Sequence, residues 1–205
     1  MSPKQKRFDR VDMVDEYDLG DIYSWVNDPS LVGYCVTWVR GLDISDIFDR
    51  LDAEFDPHVS QTWGELTISA RAKQKRGIRV AQLNGWSAII ELESARGANS
   101  KWLSTLSAKA EAINVLASAT GMELFSHMID GQLITRFEPS MPAHRTGSRP
   151  DGLLEAMRDA GLDPDVDDLD EVDTRVAILV LINQVFGAFI KTQTVIDEGL
   201  PAGFF

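Results

Sequence analysis

The chain has 205 residues, of which 44% are apolar and 25% charged, and its formal net charge is −12. This length and composition predict one globular domain that buries its core without a metal ion, and the single cysteine, Cys35, excludes an internal disulfide. The acidic total repels phosphate backbones, so nucleic acid is not expected as a partner.

The N-terminal part of the chain predicts a flexible tail, a helix and a strand. No apolar stretch follows the charges of residues 1–10, so they form the tail rather than a signal peptide. Apolar residues of 11–27 fall on one helical stripe, which Pro29 ends. The β-branched and aromatic segment 34–39 is typical of a strand.

Two helices follow, each with a capping signal at its N-terminus. Asp43 can cap the first helix, whose apolar residues recur at helical spacing as far as Phe55. Thr62 and Glu65 form a Thr-x-x-Glu capping box for the second helix. The first helix presents acidic residues on its outer face: Asp46, Asp49, Asp52 and Asp56.

A first hairpin is predicted where Asn84-Gly85 separates two apolar runs, because this dipeptide fits a two-residue type I′ turn. Pairing outward from the turn places Leu83 opposite Trp86 and Val80 opposite Ile89. Both faces of these strands are largely apolar, which indicates central strands that are covered on both sides.

A second hairpin is predicted around Asp130-Gly131. Its expected register places Met128 beside Leu133 and His127 beside Ile134. Together these patterns predict an α+β fold with an antiparallel sheet of five or six strands, two hairpins, and helices packed on its faces. The candidate strands are 34–39, 78–83, 86–92, 112–119, 122–129 and 132–138.

The C-terminal third begins with residues 139–149, which are too rich in Pro and Gly for regular structure. Ser148, with Asp151 three residues later, is expected to cap a helix through about residue 160. The apolar run 176–190 is shorter than the roughly 18 residues of a membrane span, so we expect a long buried helix over 174–191. We therefore expect a cytoplasmic protein without a membrane partner. The expected organisation is a tail at 1–10, an α+β domain at 11–162, an acidic linker at 163–173, and a C-terminal helical segment at 174–205 packed on the same domain.

Three segments in this order resemble an uncharacterised domain family that is widespread in actinobacteria. They are YCVTWVRGLD (34–43), VAQLNGWSAIIELE (80–93) and DGQLITRFEPSMPAHRTGSRPDGL (130–153), and the resemblance covers roughly residues 20–160. It implies no established activity. Members of the family are similar in style to the small α+β immunity or accessory factors of bacterial conflict systems.

Local motifs predict no catalytic residue, no cofactor and no metal site. The chain lacks a phosphate-binding loop, a dinucleotide-binding glycine pattern and a nucleophile elbow. Cys35 lies in an apolar strand, where thiols are usually inert. His58, His127 and His144 lack the short spacing of a zinc motif, and the acidic linker lacks the glycine of a calcium loop. A non-catalytic protein is favoured, and catalysis is left open.

A basic cluster precedes the first hairpin. Its favoured interpretation is an exposed cationic face that balances nearby aspartates, and phosphate binding is the alternative. No aromatic residues are interleaved with it, unlike in platforms for single-stranded nucleic acid. The cluster comprises Arg71, Lys73, Lys75, Arg76 and Arg79.

Two hypotheses for function follow. The first is a protein-interaction protein, immunity- or antitoxin-like or an accessory factor of a bacterial conflict system, whose acidic surface docks a protein with a basic surface. A homodimer is also left open, because the apolar helix at 174–191 could pack on the sheet or on a second subunit. The second is a small-molecule-binding or hydrolytic protein, because two arginines and a helix N-terminus on a loop can hold a carboxylate or phosphate. The residues of this second candidate site are His144, Arg145, Ser148 and Arg149.

Overall fold

The computed structural model describes residues 22–28, 31, 33–167, 169 and 171–205. The tail expected at 1–10 and most of the helix expected at 11–27 lie outside the described residues. Of that helix, residues 24–27 are seen as a 3-10 turn that buries Trp25 and Val26.

One antiparallel sheet of nine strands runs through the described residues, and the prediction of five or six strands is wrong. The order across the sheet is β2-β9-β3-β4-β1-β5-β6-β7-β8, and every neighbouring pair is antiparallel. The strands are β1 (Tyr34–Arg40), β2 (Glu54–Gln61), β3 (Gly77–Leu83), β4 (Trp86–Leu92), β5 (Glu111–Ala117), β6 (Glu123–Ile129), β7 (Gln132–Glu138), β8 (Met141–Thr146) and β9 (Leu200–Phe204).

The three unpredicted strands are those that contain proline. Pro57 lies in β2 and Pro142 in β8, the two edge strands, where a missing N–H is tolerated. Residues 139–149 therefore do contain regular structure, contrary to expectation. In β9, a Cβ at Gly203 would lie 2.6 Å from the Phe48 ring, so glycine is required there by packing and does not mark a loose tail.

Six helices are described: α1 (Ile44–Arg50), α2 (Trp63–Lys73), α3 (Ser100–Ser107), α4 (Leu154–Asp159), α5 (Thr174–Phe186) and α6 (Thr192–Ile196). Both predicted caps are confirmed: the Asp43 carboxylate accepts the N–H of Asp46, and Thr62 and Glu65 close the capping box of α2. However, α1 ends at Arg50, so Phe55 belongs to β2, where its ring stacks on Phe48 with centroids 4.0 Å apart.

The two C-terminal helices differ from expectation at their ends. Helix α4 begins only at Leu154 and has no side-chain cap, so Ser148 does not cap it. Instead the Ser148 hydroxyl donates to the carbonyl of Leu133 at 3.0 Å. Helix α5 is capped by Asp173 and stops at Phe186, because Gly187 turns the backbone into the left-handed region.

Helices cover both faces of the sheet. On one face, Trp38 and Phe125 belong to a buried cluster that includes α5, α4 and α6. On the other face, Val39 and Ile89 pack with α1 and α3. The fold is therefore α+β with the sheet as the middle layer, and both surfaces of the central strands are apolar, as the sequence predicted.

Candidate functional site

The predicted acidic surface is exposed. Asp46, Asp49 and Asp52 all lie on α1 or in the turn that follows it, and each is solvent-exposed. Asp56 is also exposed, although it lies on the edge strand β2, where its carboxylate accepts the N–H of His58 at 2.9 Å. Within the described residues, none of these four carboxylates forms an ion pair.

Arg50 is the cation nearest in sequence to these aspartates, yet it does not neutralise them. Its guanidinium turns towards the C-terminal end of α3 and donates to the carbonyls of Thr105, Leu106 and Ala108 at 3.0, 3.1 and 2.7 Å. These carbonyls lack helical partners and carry the negative end of the helix dipole, so they hold the guanidinium well. Arg50 is thereby turned away from the acidic surface.

The loop of the second hypothesis is held mainly by internal contacts. The Arg145 side chain is 12% exposed and pairs with the Asp151 carboxylate at 3.0 Å. Its guanidinium also donates to the carbonyls of Pro142 and Pro164 at 2.5 and 2.7 Å. Arg145 therefore fastens β8 to the turn before α4 and to the start of the acidic linker.

The other residues of that loop point to no common centre. His144 is exposed, and its Nε2 lies 3.8 Å from the Asp167 carboxylate. Ser148 bonds to the backbone of β7, and Arg149 is exposed while its carbonyl accepts the hydroxyl of Thr135 at 2.8 Å.

Cys35 belongs to a buried polar network that the sequence did not reveal. Its thiol donates to Glu91 Oε1 at 3.0 Å and accepts from the amide of Asn114 at 3.3 Å. The same Glu91 carboxylate accepts the backbone N–H groups of Arg96 and Gly97 at 2.9 and 2.6 Å. Burial, followed by the neighbouring Glu91 charge, raises the pKa of the Cys35 thiol well above its ordinary value.

A second charged group lies where α5 ends against the sheet. The Glu111 carboxylate is 3.0 Å from His127 Nε2 and 3.4 Å from the Arg40 guanidinium. Arg40 lies 4.2 Å over the Trp86 ring, and both residues donate to the carbonyl of Phe186, the last residue of α5. The hydrogen bond from His127, and then the charge of Arg40, lower the pKa of Glu111. This group secures the C-terminal end of α5.

The predicted basic cluster does not form one surface. Arg79 is fully buried and donates to the carbonyls of Val195 and Glu198, and desolvation lowers its pKa to about 10. The other members remain near the end of α2. There a cleft of about 360 Å³ opens, lined by Arg71, Gln74, Lys75, Arg76, Glu93 and Phe205, among others.

A model of one protein family matches residues 19–197, which include α1, both hairpins and α5. The chain belongs to the family of unknown function DUF6461. No curated protein and no solved structure matches the chain.

The match confirms that the chain belongs to an uncharacterised domain family, and the matched region extends beyond residue 160. The acidic linker and helices α5 and α6 lie within the matched region, whereas β9 lies beyond it. In the described part of the DUF6461 chain, no helix is long and apolar enough to cross a membrane.

Proposed function

We propose that this protein is a non-catalytic interaction protein that docks a partner with a basic surface through Asp46, Asp49 and Asp52. The resemblance to an actinobacterial family suggests a bacterial partner. It also suggests an immunity- or antitoxin-like role, or an accessory role, in a conflict system. The observation that carries the proposal is the orientation of Arg50, whose contacts with α3 leave the three aspartates without an ion pair among the described residues.

The electrostatics of this surface support docking of a cationic partner. Clustered like charges reduce folding stability through mutual repulsion. The same exposed cluster, which has the sign of the protein's net charge, attracts an oppositely charged partner from a distance. Such steering raises the association rate and weakens with salt, because the Debye length falls from about 10 Å at 0.1 M to about 3 Å at 1 M.

The alternative, a small-molecule or hydrolytic site on the loop at 144–149, has less support. Arg145 would have to release the Asp151 carboxylate and two backbone carbonyls before it could bind a ligand. Leaving the two part-buried carbonyls without a donor is costly.

The test is a triple variant in which Asp46, Asp49 and Asp52 become asparagine. Asparagine preserves the shape of each side chain and also tolerates the left-handed backbone of residue 52, where φ is 50°. Asp46 loses a favourable interaction with the N-terminal end of the α1 dipole, while the other two lose repulsion. We therefore expect the free energy of unfolding to change by less than about 1 kcal/mol.

The measurement is capture of partner proteins from a lysate of the source organism at low and at high salt. A matched control removes the same charge elsewhere by replacing Glu155 and Glu171 with glutamine and Asp159 with asparagine. The first variant should lose capture at low salt and the control should keep it. Equal capture by both variants at low salt would show that the aspartates are only a solvated surface.

A further inference from the structure

The cleft beside α2 carries a positive local charge on an otherwise acidic protein. Arg71, Lys75 and Arg76 line it, together with one side-chain carboxylate, that of Glu93. Lys75 is paired with the Glu54 carboxylate, so the excess of positive charge rests on the two arginines. Both arginines approach this single carboxylate, at 3.8 and 3.3 Å. Since each guanidinium has five N–H donors, sharing one carboxylate leaves several donors of each arginine without a partner among the described residues and able to bind another anion.

Backbone hydrogen bonds fix the positions of the residues that carry these side chains. The N–H groups of Gln74 and Lys75 bond to the carbonyls of Arg71 and Ala70 at 3.1 and 3.0 Å, which is the Schellman arrangement at the end of α2. Arg76 then exchanges two backbone hydrogen bonds with Phe205, both of 3.1 Å. The two bonding patterns bring one arginine from the helix and one from the following segment to the same cleft.

Two lining residues adopt a backbone conformation that their type disfavours. Gln74 and Glu93 have φ values of 54° and 46°, in the left-handed region where glycine or asparagine is usual. Strained residues concentrate at sites where a side chain is needed for function. Here both residues line the cleft, and Glu93 is the carboxylate that both arginines approach.

The chemistry of the cleft identifies the class of ligand. Planar guanidinium groups match the tetrahedral oxygens of phosphate, and the volume of about 360 Å³ is at the lower end of the range for small-molecule sites. Arg96 lies 3.8 Å over one face of the Phe205 ring and Trp102 makes a T-shaped contact with the ring, so a base cannot stack on that face. We propose that this cleft binds a small molecule through its phosphoryl group.

The test is a titration of the protein with inorganic phosphate at constant ionic strength. Binding is monitored through the amide chemical shifts in NMR spectra. We expect saturable shifts at residues 71–76, 93 and 205, with a dissociation constant of about 1 mM or below. Acetate should bind more weakly, because it offers fewer acceptor oxygens. Absence of saturable shifts at these residues would overturn the proposal.

Variants of the cleft give effects of opposite sign. Arg71→Gln with Arg76→Gln should weaken phosphate binding by roughly tenfold or more, since charge-assisted hydrogen bonds are lost. Glu93→Gln should strengthen binding, because it removes the competing carboxylate. The matched control, Arg149→Gln with Arg158→Gln, removes the same charge elsewhere and should bind phosphate as the wild type does. Equal losses of phosphate affinity in the two double variants would overturn the proposal.

Two further measurements separate a ligand site from a merely structural cluster. Gln74→Gly should raise the melting temperature by roughly 1–4 °C, because glycine relieves the strained backbone, while it weakens phosphate binding. Glycerol 1-phosphate should bind at least as tightly as inorganic phosphate. A phosphoserine peptide that binds tenfold more tightly than glycerol 1-phosphate would overturn the assignment to a small molecule.

Discussion

Replacing Glu91 with glutamine should destabilise the protein, although the two side chains have nearly the same shape. The Glu91 residue is 1% exposed, and its carboxylate accepts four hydrogen bonds. Oε1 accepts the Gly97 N–H at 2.6 Å and the Cys35 thiol at 3.0 Å, while Oε2 accepts the Ser94 hydroxyl at 2.7 Å and the Arg96 N–H at 2.9 Å. Each oxygen therefore faces one backbone N–H, which cannot reverse its role.

The size of the effect follows from this arrangement. The amide group of glutamine can occupy either position, and in both it places an NH₂ donor against a backbone N–H of the 96–97 turn. The thiol or the hydroxyl can rotate to accept, but the backbone group is left buried without an acceptor, at a cost of about 1–3 kcal/mol. For a chain of this length, that corresponds to a fall in melting temperature of roughly 2–12 °C.

The assay is urea unfolding combined with hydrogen exchange of the amides at 94–97, which should lose protection in the Glu91→Gln variant. Glu155→Gln, on the exposed side of α4, is the control and should stay within about 0.5 kcal/mol of the wild type. Gly97→Ala should also be destabilising, through steric overlap, since its Cβ would lie 2.4 Å from Thr37 Oγ1 and 2.6 Å from Glu91 Oε1. A Glu91→Gln variant with wild-type stability and protection would refute this account.

Three other predictions concern the core and the end of α5. Leu179→Ala should cost about 2–5 kcal/mol, because Leu179 is buried in the core between α5 and the sheet, and an unchanged melting temperature would contradict this. Burial and the neighbouring Glu91 raise the pKa of Cys35, so the folded protein should resist thiol reagents until denaturant is added; rapid stoichiometric labelling would count against this. The His127 hydrogen bond lowers the pKa of Glu111 in the folded protein. The ionised Glu111 therefore contributes its full stabilisation at a pH above its unfolded-state pKa of about 4.3. This stabilisation is lost as the pH falls through the lower pKa of the folded state. Acid titrations of unfolding should therefore show a shallower loss of stability below about pH 4 in Glu111→Gln, and identical curves would exclude the effect.

The sequence by itself determined the features that depend on neighbouring residues. The Asn84-Gly85 hairpin has the predicted register, with Leu83 opposite Trp86 and Val80 opposite Ile89. The Asp43 and Thr62 caps are also where the sequence predicted them. In each case the preferred backbone angles or the hydrogen bonds involve residues within a few positions of one another, so a short stretch of chain contains the whole cause.

The second hairpin shows where local information ends. Met128 pairs with Leu133 as predicted, but a bulge between His127 and Met128 shifts the remaining pairs, and His127 lies opposite Thr135 rather than Ile134. An extra residue in one strand costs little in the hairpin itself, and its position is set by how the side chains pack on both faces.

Only the tertiary structure decided the edge strands and the charged surfaces. Strand β9 pairs with β2 and β3, more than a hundred residues away, and no local pattern marks Gly203 as a close-packed position. Likewise, Arg50 donates to a carbonyl of α3 instead of pairing with the aspartates of its own helix. Arg71 and Arg76 line one cleft with Phe205 only when β9 is paired with the sheet. Hydrogen-bond partners and charges that are distant in sequence become neighbours only when the chain is folded, and both candidate surfaces depend on such contacts.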